Sequence, residues 1–205
     1  AASDVYKRQE VNRATSDTYM RTYEFEYRRV LTSMAYLEGF WGTEGYARFD
    51  ARVYQGLRTT DNNRTLPIVG PNAYGEYAPR DKVFGGFLQV DTGLLAITRE
   101  IGAYDQRLAT RVGWRREEVD PVGGLWNFRM QGDARAYNAG RQQLNPNYFT
   151  DANGQSAVGN FRAAADWRMP LVRDWGEWGQ QTIEPRVQVV GGPNTGYQGR
   201  YPNED

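Results

Sequence analysis

The sequence has no cysteine and no histidine in 205 residues. Without cysteine there is no disulfide framework, no thiol nucleophile and no thiolate metal site. Without histidine the commonest general base and the commonest metal ligand are both missing. No apolar run approaches the roughly 18 to 20 residues that a membrane-spanning helix needs, and no charged-then-apolar secretory signal opens the chain. Lysine is nearly absent, at Lys7 and Lys82 only, so that arginine supplies almost all of the 25 basic side chains. These balance 25 acidic ones to a formal net charge of zero. That balance gives no nucleic-acid footprint and no polybasic signal for an anionic membrane. No catalytic residue, cofactor or metal site is expected.

What the chain does have is alternation. In 125–137, Trp126, Phe128, Met130, Ala134 and Ala136 interleave with Asn127, Arg129, Gln131, Asp133 and Arg135. Phe161, Ala163, Ala165 and Trp167 do the same against Asn160, Arg162, Asp166 and Arg168, and Ala47, Phe49, Ala51 and Val53 against Arg48, Asp50 and Arg52. Period two over such lengths is a strand signal, because successive side chains point to opposite faces of a sheet. The pattern predicts about nine strands, near 19–28, 31–40, 46–57, 66–77, 83–99, 105–119, 125–137, 156–169 and 180–192, and no helix. Connections at 40–45, 78–82, 120–124 and 170–179 fall at one end of the sheet. Those at 59–65, 100–104 and 137–155 fall at the other, where the stretch from Asn138 to Gln155 is the longest and is expected to be extracellular. Pro185 removes a ladder donor and marks an edge, a strand start or a bulge.

Several strands exceed the usual 5 to 6 residues and approach the roughly 9 to 11 that cross a bilayer at a tilt. Their polar face mixes Arg, Asp, Glu, Gln and Asn, as a wet lumen does, while Trp126, Phe128 and Trp167 cluster near strand ends, as interfacial aromatic belts do. A mean hydropathy of −0.76 is compatible with this, since only every second residue of a barrel strand meets lipid. The expected fold is all-β: an antiparallel, up-and-down transmembrane β-barrel fragment of about nine strands that does not close on its own. The alternative is a soluble extracellular β-sandwich that binds glycans through its aromatic residues. Two other motifs carry less. Glu117 and Glu118 are adjacent on one strand, point to opposite faces and cannot share a hydrolytic site. Trp175-Gly176-Glu177-Trp178-Gly179 reads as a turn at the bilayer boundary.

Residues 1–9 fit no pattern that follows. They resemble translated library-adapter sequence and are set aside as a non-native leader, which leaves 10–205 as a partial barrel domain and the chain as an internal fragment.

The segment Ile183-Glu184-Pro185-Arg186-Val187-Gln188-Val189-Val190, then Pro193-Asn194 and Tyr201-Pro202-Asn203-Glu204-Asp205, resembles a stretch of the lipopolysaccharide-assembly family LptD. Weaker likenesses run in the same order through Leu37 to Phe40, Tyr54 to Arg58, Leu95 to Arg99 and Trp167 to Arg173. The resemblance implies an outer-membrane barrel that assembles lipopolysaccharide in the outer leaflet. It further implies an LptE-like lipoprotein plug and a periplasmic Lpt bridge as partners, beside outer-membrane lipid and with no nucleic acid. Its lateral gate and periplasmic domain would lie outside this segment. The inward polar positions expected to line the lumen are Arg48, Asp50, Arg52, Gln89, Asp91, Arg111, Asn127, Arg129, Asp133, Arg135, Arg162, Asp166, Glu184, Arg186 and Gln188. Pairing with carboxylates or with the plug is their expected main role.

Overall fold

The computed structural model describes residues 3–14, 29–144 and 153–193. The strand expected near 19–28 lies outside these residues. Nine strands form one antiparallel sheet: β1 (Ser3–Glu10), β2 (Val30–Trp41), β3 (Gly45–Gly56), β4 (Ile68–Tyr77), β5 (Phe87–Thr98), β6 (Tyr104–Val119), β7 (Leu125–Gly140), β8 (Gly154–Arg168) and β11 (Arg186–Gly191). Between the last two, β9 (Leu171–Asp174) and β10 (Gln180–Ile183) pair only with each other. From β1 to β8 chain neighbours are sheet neighbours, which is an up-and-down meander; β11 then pairs with β8 across the β9–β10 hairpin, and the sheet is open at β1 and β11. The described residues form no α-helix. They include three single 3₁₀ turns, at Asn63–Thr65, Gln142–Leu144 and Gly176–Trp178.

The long register explains why alternation survives. Sixteen consecutive rungs join β6 to β7, from Tyr104 opposite Gly140 to Val119 opposite Leu125. Because the side-chain period is two, an unbroken register keeps each face chemically pure from strand to strand. One irregularity interrupts it. Gly70 and Pro71 together oppose the single residue Ala51 on β3 and Ala96 on β5. This bulge is a site where a proline without an N–H does least harm to the ladder.

The structure differs from the expected strand plan in two places. The segment 180–192 is not one strand: Glu184 and Pro185 break it into β10 and β11, and Pro185 stands immediately before β11. The connection 170–179 is correspondingly part of a short hairpin. Its turn is closed by hydrogen bonds from Trp175 N to Gly179 O (2.9 Å) and from Gly179 N to Gly176 O (3.2 Å). The second difference is at the start. Residues 3–10 pair along β2 from Ser3–Trp41 to Glu10–Met34. A free sheet edge offers an unpaired ladder to any extended segment, and every residue of β1 but Glu10 is exposed.

Among the described residues, the buried apolar side chains that cluster are few: Ala14, Leu31 and Leu57. They sit beside a reciprocal pair of hydrogen bonds between Gln55 and the Ala14 backbone.

Candidate functional site: a two-faced wall

The register sorts the side chains of the sheet into two sets. On one face, Arg48, Asp50 and Arg52 of β3 share a side with Glu38 on β2 and Asn72 and Glu76 on β4. The same side carries Gln89 and Asp91 on β5, Arg111 and Arg115 on β6, and Asn127 through Arg135 at every second position on β7. Arg162 and Asp166 continue it on β8, and Arg186 and Gln188 on β11. Of the expected lumen positions, fourteen therefore lie on strands of one face. The fifteenth, Glu184, falls in the break between β10 and β11 and reaches Arg168 at 3.2 Å.

This polar face is internally paired. Asp50 takes Arg52 Nε at 2.9 Å and Asn72 Nδ2 at 3.0 Å, with Arg48 at 3.5 Å. Arg111 Nε donates to Asp133 at 2.8 Å, and the Arg186 guanidinium to Asp166 at 2.7 Å. Pairs of this kind are charge-assisted hydrogen bonds, stronger than neutral ones. Around them Tyr46 donates to Glu38 (3.1 Å) and Gln131 to Asp133 (2.9 Å). Sequence reasoning missed Asp105 and Arg107, which meet at 3.2 Å at the start of β6. Carrying the parity of Arg111 back along the strand places both on this face.

The opposite face carries Leu37, Phe49, Val53, Leu94, Leu108, Val112, Met130, Phe161, Val187 and Val189. Here the usual burial order is reversed. Met130 is 48% exposed, Phe49 49% and Val189 66%, whereas Asp50 is 2% exposed and Asp166 4%. Among the described residues, substantial contacts between strands join hydrogen-bonded neighbours only, and no second layer covers the apolar row. A soluble sandwich requires such a layer.

The apolar face has defined ends. Arg116 and Glu118 pair with each other at one limit of β6 and β7, on the face of Trp126. Gln106, Asn138 and Gln155 stand in one row at the other. From the rung that Trp126 shares with Glu118, the row to Ala136 runs about 33 Å at about 3.3 Å per residue. At a tilt of about 40° it stands about 25 Å tall, the height of the apolar band of outer-membrane barrels.

An aromatic cluster closes the band at the 120–124 turn. The Trp126 ring stacks on Phe128 at 5.6 Å and lies 6.5 Å from Trp167. Both indole N–H groups donate to Asp120 Oδ2 at 3.3 Å. Asp120 also accepts from the amides of Gly124 (2.7 Å) and Val122 (3.0 Å). The Gly124 amide above all, with the Trp167 indole, the Val122 amide and the Trp126 indole, holds the Asp120 carboxyl below the usual carboxylate range, against a partial desolvation that raises it. A Cβ on Gly124 would overlap the Asp120 carboxylate and the Trp167 indole nitrogen, so this position requires glycine. At the same end, Arg173 lies 4.4 Å over the Trp175 ring in the β9–β10 hairpin. The opposite end is held by backbone capture: Arg141 donates to the carbonyls of Arg99 and Glu100, both at 3.3 Å, and the buried Gln142 donates to Tyr104 O at 3.1 Å.

A single antiparallel sheet with a paired polar face, whose Asp50, Asp105 and Asp166 are buried, and a bounded apolar band exposed on the other face is part of the wall of a transmembrane β-barrel. The chain matches the family described as LptD, LPS transport system D, over residues 3–205, and it belongs to that family. The match includes β1 as well as the segments that carry the sequence resemblance. No curated protein matches the chain. Membership of the family places the chain in lipopolysaccharide transport and assembly at the outer membrane.

Proposed function

We propose that this chain forms part of an outer-membrane translocon that assembles lipopolysaccharide in the outer leaflet, with its polar face lining the lumen and its apolar face against lipid. The observation that carries the reading is the reversed burial: Asp50 and Asp166 are covered while Phe49, Met130 and Val189 are open. Exposed aliphatic and aromatic side chains over such a height are costly in water and favourable in hydrocarbon. An amphiphile with a charged sugar head and acyl tails needs a polar path beside an apolar one, and the two faces of this sheet supply both. An LptE-like plug inside the lumen and a periplasmic Lpt bridge are the partners this reading takes from the family. The loop end at 138–155 is proposed as extracellular, and residues 1–9 as a non-native leader.

The test is site-specific photo-crosslinking in the full-length protein in cells. A photoreactive residue at Gln131, on the polar face, is expected to capture lipopolysaccharide while transport runs and to lose it when transport is blocked. One at Met130, a single residue away, is expected to give no transport-dependent adduct. Transport-dependent capture from Met130 and none from Gln131 would contradict the assignment of the faces.

A further inference from the structure

The carboxylates of the polar face on β6 to β11 are unevenly shared. Asp133 is taken by Arg111, Asp166 by Arg186, Glu184 by Arg168, and Glu117 lies 3.6 Å from Arg115. Among the described residues, Arg129, Arg135 and Arg162 have no carboxylate within salt-bridge distance, and all three are exposed. Arg129 spends its Nε on Asn127 Oδ1 at 2.7 Å, which leaves the outer edge of its guanidinium unengaged.

Two of these cations lie close together. Arg162 stands opposite Gln131, and Arg129 opposite Ala164, so Arg129 and Arg162 are diagonal neighbours across β7 and β8. Diagonal positions on an antiparallel pair are about 7 to 8 Å apart, within joint reach of long side chains. Arg129 also faces Arg115 directly on β6, and like charges in one rung destabilise a sheet unless an anion lies between them. Ala164 leaves room above that rung. A cavity of about 400 Å³ opens on the other side of Arg129, where Arg168 and Arg186 face the carboxylates Glu117, Glu118 and Asp166; Arg162 stands outside its lining.

We propose that Arg129 and Arg162 form an anion clamp on the polar face that takes a phosphate group on the head of the transported amphiphile. This rests on the transport reading above. Guanidinium is the side chain best suited to phosphate, which it holds through paired N–H donors. The surroundings suit a hydrated sugar phosphate: the uncharged Gln131 and Asn160 flank the pair, and the nearby Asp133 carboxylate is already held by Arg111. The ion-paired arginines hold the wall together, and this pair reads the cargo.

The experiment measures binding of the full-length protein to lipopolysaccharide, to the same lipid with its phosphates removed, and to inorganic phosphate. The unaltered protein is expected to prefer the phosphorylated lipid by about tenfold, the effect of one or two charge-assisted bonds. R129Q/R162Q abolishes the preference and leaves affinity for the dephosphorylated lipid unchanged. R64Q, which removes a loop arginine paired with Glu100, keeps it. R129K/R162K, which retains the charge and loses the fork geometry, keeps only part of it and serves where the glutamine variant fails to assemble. Equal binding of both lipids by the unaltered protein, or a preference that survives R129Q/R162Q, overturns the clamp. So does competition by inorganic phosphate without any dependence on the lipid's own phosphates. Binding of neither lipid would instead count against the transport reading.

Discussion

Asp50 shows what a single residue does in this wall. Its carboxylate is nearly inaccessible and serves Arg48, Arg52 and Asn72 together. Removing one partner of a buried charge network leaves the others desolvated and unpaired, which costs more than the net worth of the pair. Asp50→Ala is therefore expected to lower folding stability by about 3 kcal/mol, read as a shift in the urea midpoint of the refolded protein in lipid vesicles. Asp120 gives a pH signature of the opposite kind, since it sits in a turn outside the strands. Its folded pKa is depressed, so its contribution is fully present above the ordinary carboxylate value of about 3.9 and is lost as pH falls through the lower folded value. Stability measured between pH 6 and pH 2 should fall in that acid window, with a change in Trp126 and Trp167 emission. Asp120→Asn should be less stable at neutral pH and should lose that part of the acid dependence. The alternating positions were legible in the sequence because period two needs no tertiary knowledge. Asp105, Arg107 and the Asp120 bridge were not, because they depend on strand parity at an element boundary and on a turn folding back onto two strands.

At the scale of elements, the interior strands were readable to within a few residues, and the turns at each end fell on the expected sides. What escaped was local. Pro185 marks an edge, a strand start or a bulge, and it stands immediately before β11, but that mark does not say how the segments on either side of it pair. Only pairing partners decide that β10 turns to β9 while β11 turns to β8. The β1 pairing escaped for a different reason, since a short exposed segment takes an edge without needing a matching pattern. Deleting residues 1–9 is expected to leave the β2–β8 meander unchanged, as judged by the strand signal in circular dichroism and by heat-modifiable gel migration. Loss of both would show that β1 belongs to the wall. Gly124 is the reverse case, a residue whose identity the turn dictates. Gly124→Ala should destabilise by about 1 to 3 kcal/mol through overpacking against Asp120 and Trp167, visible as a lower urea midpoint and a red shift of tryptophan emission.

For the whole molecule, the family match and the geometry describe one object from two directions. The family gives transport of lipopolysaccharide, and the sheet gives a surface that divides hydrocarbon from water along a line one side chain wide. The distinction between the faces underlies the assignment of lumen, lipid and cargo, and two glycines test it with matched chemistry. Gly132 lies on the apolar face, with nothing near the position of an added Cβ. Gly113 lies on the polar face one strand away, opposite Gln131, where an added Cβ would meet only Gln89 O at 4.0 Å. Their depths are nearly the same, because Gly132 adjoins Gln131 in the chain. In lipid vesicles, Gly132→Arg should lower the unfolding free energy of the full-length protein by about 2 to 4 kcal/mol, the cost of arginine facing the bilayer interior. Gly113→Arg should change it by less than about 0.5 kcal/mol. Equal costs at the two positions, or the larger cost at Gly113, would contradict a wall with lipid on one side and water on the other.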